Sequence, residues 1–207
     1  MFPNIYSEIK DRELASFIAD NIGDFKSDFE FEFDSLERKL GMISLALNTA
    51  KEMNKAHLNN TWNLLGYVNT CLFDLAVTSE AIMFESDPWK KRYHARMAIL
   101  NMYEAAQDLP NMFGKGFRDS FDGVNGGQEF LLSLGRAVKK VNKFKSTNAV
   151  SLKSVRLNMA AHRDQNLDEQ LKVVFNIDPI EVLKLMTEFG LIIKELEQSL
   201  NNGVHLV

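Results

Sequence analysis

The amino-acid sequence predicts an all-α protein, a single-domain helical bundle of six or seven helices over residues 1–207. Three observations carry this expectation. Apolar residues recur at intervals of three and four along nearly the whole chain, the spacing that gathers them on one helix face. Only 4 prolines and 11 glycines leave little material for the turns of an all-β fold. No internal repeat, low-complexity tract or linker-like stretch divides the chain.

Ile5, Ile9, Phe17, Ile18 and Ile22 predict a first helix, closed by Gly23. Leu36, Leu40, Ile43, Leu47 and Met53 predict a second. Ahead of it, Phe29, Phe31 and Phe33 alternate with the period of a strand, but no second strand is near to pair with them. They read as the lead-in to the helix or as an aromatic cap. Trp62, Leu65, Val68, Leu72, Leu75 and Ile82 give a third helix. Ser86-Asp87-Pro88 opens a fourth with proline in its first turn, running through Trp89, Tyr93, Met97, Leu100 and Leu109 until Pro110 ends or kinks it. A short piece around Phe113 and Phe117 leads into Asp122-Gly123-Val124-Asn125-Gly126-Gly127, the clearest loop.

Phe130, Leu134, Val138, Val141 and Phe144 form the next amphipathic face. Ser146-Thr147-Asn148 is expected to break it and to cap a further helix over residues 149–163. After Asp164-Gln165-Asn166 the chain is expected to loosen. Asp178-Pro179 then starts a closing helix over residues 179–201, through Ile180, Leu183, Met186, Phe189, Ile192, Leu196 and Leu200, ending near Asn201-Asn202-Gly203.

The composition, 45% hydrophobic and 25% charged, is that of an ordinary soluble protein, and a net charge of −4 argues against one that coats nucleic acid indiscriminately. Cys71 is the only cysteine, which rules out an intrachain disulfide or a cysteine zinc site. Its apolar surroundings mark it as a small buried residue and not a reactive thiol. Met1-Phe2-Pro3-Asn4 lacks the basic start of a signal peptide, and Asp74 and Glu80 interrupt the most apolar window, Leu64 to Phe84. A cytoplasmic protein with no membrane association is the expectation.

One segment departs from this background. From Phe130 to Arg163 there is no acidic residue, while Arg136, Lys139, Lys140, Lys143, Lys145, Lys153, Arg156 and Arg163 all fall within it. Such a local excess attracts phosphate esters, which makes RNA a partner to consider and Lys139, Lys140, Lys143, Lys145, Lys153 and Arg163 the candidate contacts. Near its end runs Val155-Arg156-Leu157-Asn158-Met159-Ala160-Ala161-His162-Arg163-Asp164. Asn158 and His162 share a helix face, while Arg156 points about 120° away from His162. A symmetric second copy would relieve that geometry by supplying the missing group.

Arg156 to His162, an Arg-x5-His followed by Arg-Asp, resembles the Arg-x(4–6)-His signature of HEPN domains. The late position of this helix and the closing helix after it fit the same family. The resemblance implies a compact α-helical bundle, a homodimer with the two motif helices meeting, and, in active members, metal-independent RNA cleavage in a toxin–antitoxin or defence setting. It implies His162 as general acid/base or orienting imidazole and Arg156 as the group on the scissile phosphate, with Asn158 beside them. Leu157 stands where the family often carries Asn. No cofactor is implied. The alternative is a non-catalytic helical interaction module that binds a protein partner or nucleic acid.

Other constellations rank lower. Trp89-Lys90-Lys91-Arg92-Tyr93-His94-Ala95-Arg96 mixes bases and aromatics, but the simpler reading buries Trp89, Tyr93 and Met97 while the charges face water. Arg92, His94 and Arg96 are kept as auxiliary contacts. None of His57, His94, His162 or His205 sits in a Glu-x-x-His pair, so no metal is expected. Gly123 to Gly127 lacks the Lys-Ser/Thr of a phosphate loop. The acidic run Asp24, Asp28, Glu30, Glu32, Asp34 and Glu37 reads as a solvated face, or as a complement to a neighbour's lysines.

Overall fold

The computed structural model describes the backbone of residues 5–156 and 167–206 and, within them, every side chain except those of 5–11, 169 and 170. All regular elements among the described residues are helices: α1 (Ile5–Asp20), α2 (Ile22–Glu52), α3 (Ala56–Phe84), α4 (Pro88–Met112), α5 (Lys115–Asp119), α6 (Gly127–Val155), α7 (Leu167–Asn176) and α8 (Pro179–Gly203). The predicted all-α class holds, with eight helices among the described residues where six or seven were expected.

α3 is the central element, packed against α2, α4 and α8, and α8 packs in turn on α4 and α6. Their inward faces meet in one core that includes Leu64, Leu65, Met102, Leu109, Phe144, Phe189 and Ile193. Phe144 and Phe189 lie with ring centroids 4.6 Å apart, joining α6 to α8. Three polar residues buried on α3 donate back along the helix: Thr61 to the His57 carbonyl, Asn69 to that of Leu65 and Thr78 to that of Asp74, while Asn69 Oδ1 has no partner among the described residues.

The predicted starts of α4 and α8 are both present and for the same reason. Asp87 accepts from the N–H groups of Trp89 and Lys90, Asp178 from that of Ile180, and each is followed by proline, which has no N–H to leave unpaired. α4 ends two residues after Pro110. The loop before α6 turns at Gly123 and Gly126, both at positive φ (79° and 75°), where a side chain would be strained. At the end of α8, Gly203 lies against the buried Phe130 ring so closely that an alanine Cβ would run into it.

Four expectations need correction. The first helix stops at Asp20, not at Gly23, which lies inside α2. There Asn21 turns back on the chain, donating from its side chain to the Phe17 carbonyl and from its backbone to that of Ile18. Phe29, Phe31 and Phe33 are interior to α2 and lead into nothing. Phe29 and Phe33, four residues apart, share a face and pack on Phe84 and Phe73 of α3, leaving Phe31 outside. α6 passes through Ser146-Thr147-Asn148 without a break: Ser146 donates to the Lys143 carbonyl and Asn148 to that of Phe144, while Leu152 and Val155 continue the buried face. Finally, α7 occupies the stretch expected to loosen, with Val174 buried. Of the helix expected over 149–163, residues 149–155 belong to α6 and 157–163 lie outside the described residues.

Candidate nucleic-acid interface

The acid-free segment becomes α6, and the helix sorts its cations by direction. At 100° per residue, Lys145, Lys153 and Arg156 turn towards the side facing α4, and Arg136, Lys139 and Lys143 towards the opposite, exposed side. Lys140 points to α8, where its ammonium sits 2.6 Å from one carboxylate oxygen of Glu195 and 2.7 Å from the other. The predicted contact set is therefore divided, with Lys140 already paired. His162, Asn158 and Arg163 lie outside the described residues.

Between α4 and α6 lies a cleft of about 440 Å³. Tyr103, Ala106 and Gln107 form its α4 wall, and Asn142, Lys145, Ser146, Ala149, Leu152 and Lys153 its α6 wall. Its two cations stand beside an aromatic ring and neutral hydrogen-bonding groups, which suits a phosphate with an attached planar group.

Arg156, the residue that follows α6, stands next to this cleft. Its Nε donates to Glu104 Oε1 at 2.8 Å, and its guanidinium carbon lies 5.1 Å from the Tyr103 ring centroid. The hydrogen bond to Glu104 and its negative charge push the Arg156 pKa up, so the group stays cationic. Solvent and salt screen the pair, so it contributes little to stability. Its main effect is orientation: a flexible side chain is held over the ring. A cation after the last turn of α6 also complements the helix dipole. Glu104 and Tyr103 are the site residues that sequence reasoning missed. Glu104 is 52 positions from Arg156 and nothing in the chain announces the pairing.

A second departure lies at the start of α4. Trp89 and Tyr93, expected to be buried, are 50% and 47% exposed. The inward face of α4 is built instead from Ile99, Met102 and Leu109 with Ala95, Ala98, Ala105 and Ala106 between them. Arg96 lies 5.4 Å from the Tyr93 ring centroid, and His94 meets the same ring edge-on.

Cys71 is half-buried, and burial, followed by the charge of Asp74, pushes its thiol up to about 12. It is no nucleophile at neutral pH. Among the described residues no group of three histidine, cysteine or carboxylate side chains is arranged to hold a metal ion, and no helix is long and apolar enough to cross a membrane. Comparison of the chain with protein-family models, curated proteins and solved structures finds no match.

Proposed function

We propose that this chain is a HEPN-like RNA-binding protein that takes RNA into the cleft between α4 and α6 and, as a homodimer, cleaves it without a metal through Arg156 and His162. The observation that carries the binding is the placement of Lys145 and Lys153 around Tyr103, with the Arg156 guanidinium held on the same ring. Cations beside a ring face offer a phosphate a counter-charge and its base a stacking surface.

In the cleaving reaction a ribose 2′-oxygen attacks the adjacent phosphorus while the bond to the 5′-oxygen breaks. The 2′-hydroxyl proton leaves to a base and the departing 5′-oxygen takes one up, leaving a 2′,3′-cyclic phosphate and a 5′-hydroxyl. His162 is the proton-transfer group and Arg156 stabilises charge on the non-bridging oxygens. A second copy brings a second Arg156 and His162 to the scissile bond.

One observation favours a second reading, a non-catalytic interaction module. Glu104 already balances Arg156, so the guanidinium has less to offer a phosphate.

The test is RNA binding and cleavage in EDTA, with sedimentation to weigh the assembly. Lys145→Glu with Lys153→Glu is expected to weaken binding at least about tenfold. His162→Ala is expected to abolish cleavage while leaving binding and the two-chain mass unchanged. Binding without cleavage by the wild type would favour the second reading, and no binding at all would overturn the RNA reading.

A further inference from the structure

We propose that this chain associates head to tail with further copies of itself, the outward ridge of α2 on one copy seated against the outward ridge of α6 on the next. The inference is independent of the RNA reading, since neither ridge includes a residue of the Lys145–Lys153 cleft.

Each ridge sets charges of one sign between exposed apolar side chains. At 100° per residue, Leu132, Arg136, Lys139, Lys143 and Val150 fall within about 60° of one another, on the side of α6 away from its buried Leu134, Val141 and Leu152. On α2, Asp24, Phe31, Asp34, Arg38, Met42 and Leu45 fall within about 80°, away from the buried Leu36 and Ile43, with Glu30 and Glu37 along one edge. Leu132 and Val150 are 70% and 85% exposed, and Phe31, Met42 and Leu45 are 69%, 62% and 70% exposed. Single apolar residues are ordinary on a surface, but these five gather on two helix faces.

The charges are free to act between molecules. Among the described residues no ion pair engages Arg136, Lys139 or Lys143, nor Asp24, Glu30 or Glu37. Arg38, the cation on the α2 ridge, is neutralised by Asp34 at 2.6 Å. The lysines of α2 turn elsewhere: Lys39 to Glu197, Lys26 over the Phe84 ring, and Lys51 about 120° from the ridge. The one acid of α6, Glu129, stands in its first turn ahead of the ridge, and Glu195 of the neighbouring α8 is engaged by Lys140.

That separation chooses the occupant. Two α2 ridges would set acid against acid, and two α6 ridges cation against cation. α2 on α6 pairs opposite charges and brings all five apolar residues to one contact. RNA laid on the α6 ridge would meet its cations but leave Leu132 and Val150 in water and α2 bare. Within one copy α3, α4 and α8 stand between the two helices, so the contact joins different copies. It is heterologous, each copy keeping one ridge of each kind open, and growth continues until the assembly closes or becomes a filament. The pairing through Arg156 and His162 is a separate, two-fold contact.

The experiment follows the full chain by sedimentation velocity at a concentration on the order of 100 μM, in about 0.05 M and about 0.5 M salt. The mass is expected to climb past two chains in low salt and to fall back in high salt. One variant combines Arg136→Glu, Lys139→Glu and Lys143→Glu; the other combines Asp24→Lys, Glu30→Lys and Glu37→Lys. Each alone is expected to weaken the contact at least about tenfold. Mixed in equal amounts they should associate again, because the first keeps its α2 ridge, the second its α6 ridge, and the two reversed ridges match. Leu45→Ser, which leaves every charge in place, should also weaken the low-salt assembly. Circular dichroism checks that the variants are folded. A wild-type mass indifferent to salt and concentration, loss of growth with only one of the two charge variants, or a mixture no larger than its parts would overturn the contact. An α6 variant that loses RNA affinity while still assembling would assign that ridge to RNA and overturn it too. Assembly as expected without RNA binding would leave the contact standing and remove the RNA reading alone.

Discussion

At the scale of single residues, the clearest consequence of burial is a dependence on alkaline pH. Cys71 and Tyr67 are neighbours on α3, and the Tyr67 hydroxyl donates to Asp108 at 3.2 Å. Burial first, then nearby negative charge, pushes the Cys71 thiol up to about 12 and raises Tyr67 above its usual value. An unfolded thiol titrates near 8.5. Between these values the folded chain keeps a proton that the unfolded chain has lost, so rising pH favours unfolding. The stabilising contribution is full below about 8.5 and is lost as pH climbs towards about 12. The urea midpoint should fall between pH 8 and roughly pH 10.5, and Cys71→Ala should make that fall shallower. Iodoacetamide at pH 8 should label the native thiol on the order of 10³-fold more slowly than the urea-unfolded one. Rapid native labelling would contradict the placement of Cys71.

At the scale of elements, the sequence was legible wherever the signal is local. The aspartate–proline starts of α4 and α8 and the glycine loop before α6 need only their own side chains, and all three stand where the residues put them. The misread stretches are those where tertiary packing decides. Ser146 and Asn148 are good caps in isolation, but between the buried Phe144 and Leu152 they bond back along the helix and α6 continues. Phe29 and Phe33, whose alternation with Phe31 reads as a lead-in or an aromatic cap, lie inside α2 because the rings of α3 give them a helical partner face. The continuity of α6 makes a sharp prediction. Thr147 is exposed, so Thr147→Pro disturbs only the backbone. At a break between two helices proline would be tolerated, whereas inside one it removes a hydrogen bond and clashes with the preceding turn, at about 3 kcal/mol or more. Denaturant unfolding of this variant should show the larger loss; a change under about 0.5 kcal/mol would restore the break.

At the scale of the whole molecule, the candidate interface joins segments that the sequence keeps apart. The cations of α6 could be read from composition; that they divide three ways, and that Tyr103, Ala106 and Gln107 of α4 complete the cleft, follows from packing α4 on α6. Acidic residues are drawn elsewhere: Glu32 of α2 pairs with Lys194 of α8 at 3.0 Å, and Glu197 of α8 with Lys39 of α2 at 2.9 Å. The acidic run on α2 thus braces α8 in part as well as meeting solvent. A chain of net charge −4 that binds RNA must do so through this separation of charge, with counterions released only where phosphates meet cations. The affinity for single-stranded RNA should therefore fall linearly with salt on a logarithmic plot, with a slope of about −0.7 per phosphate neutralised. Lys145→Gln and Lys153→Gln should each flatten that slope by about 0.7, whereas Lys140→Gln, whose partner is Glu195, should leave it nearly unchanged. Equal flattening by all three would mean that the phosphate chain follows the full circumference of α6 and not the cleft, and a flat wild-type plot would remove electrostatics from the interface.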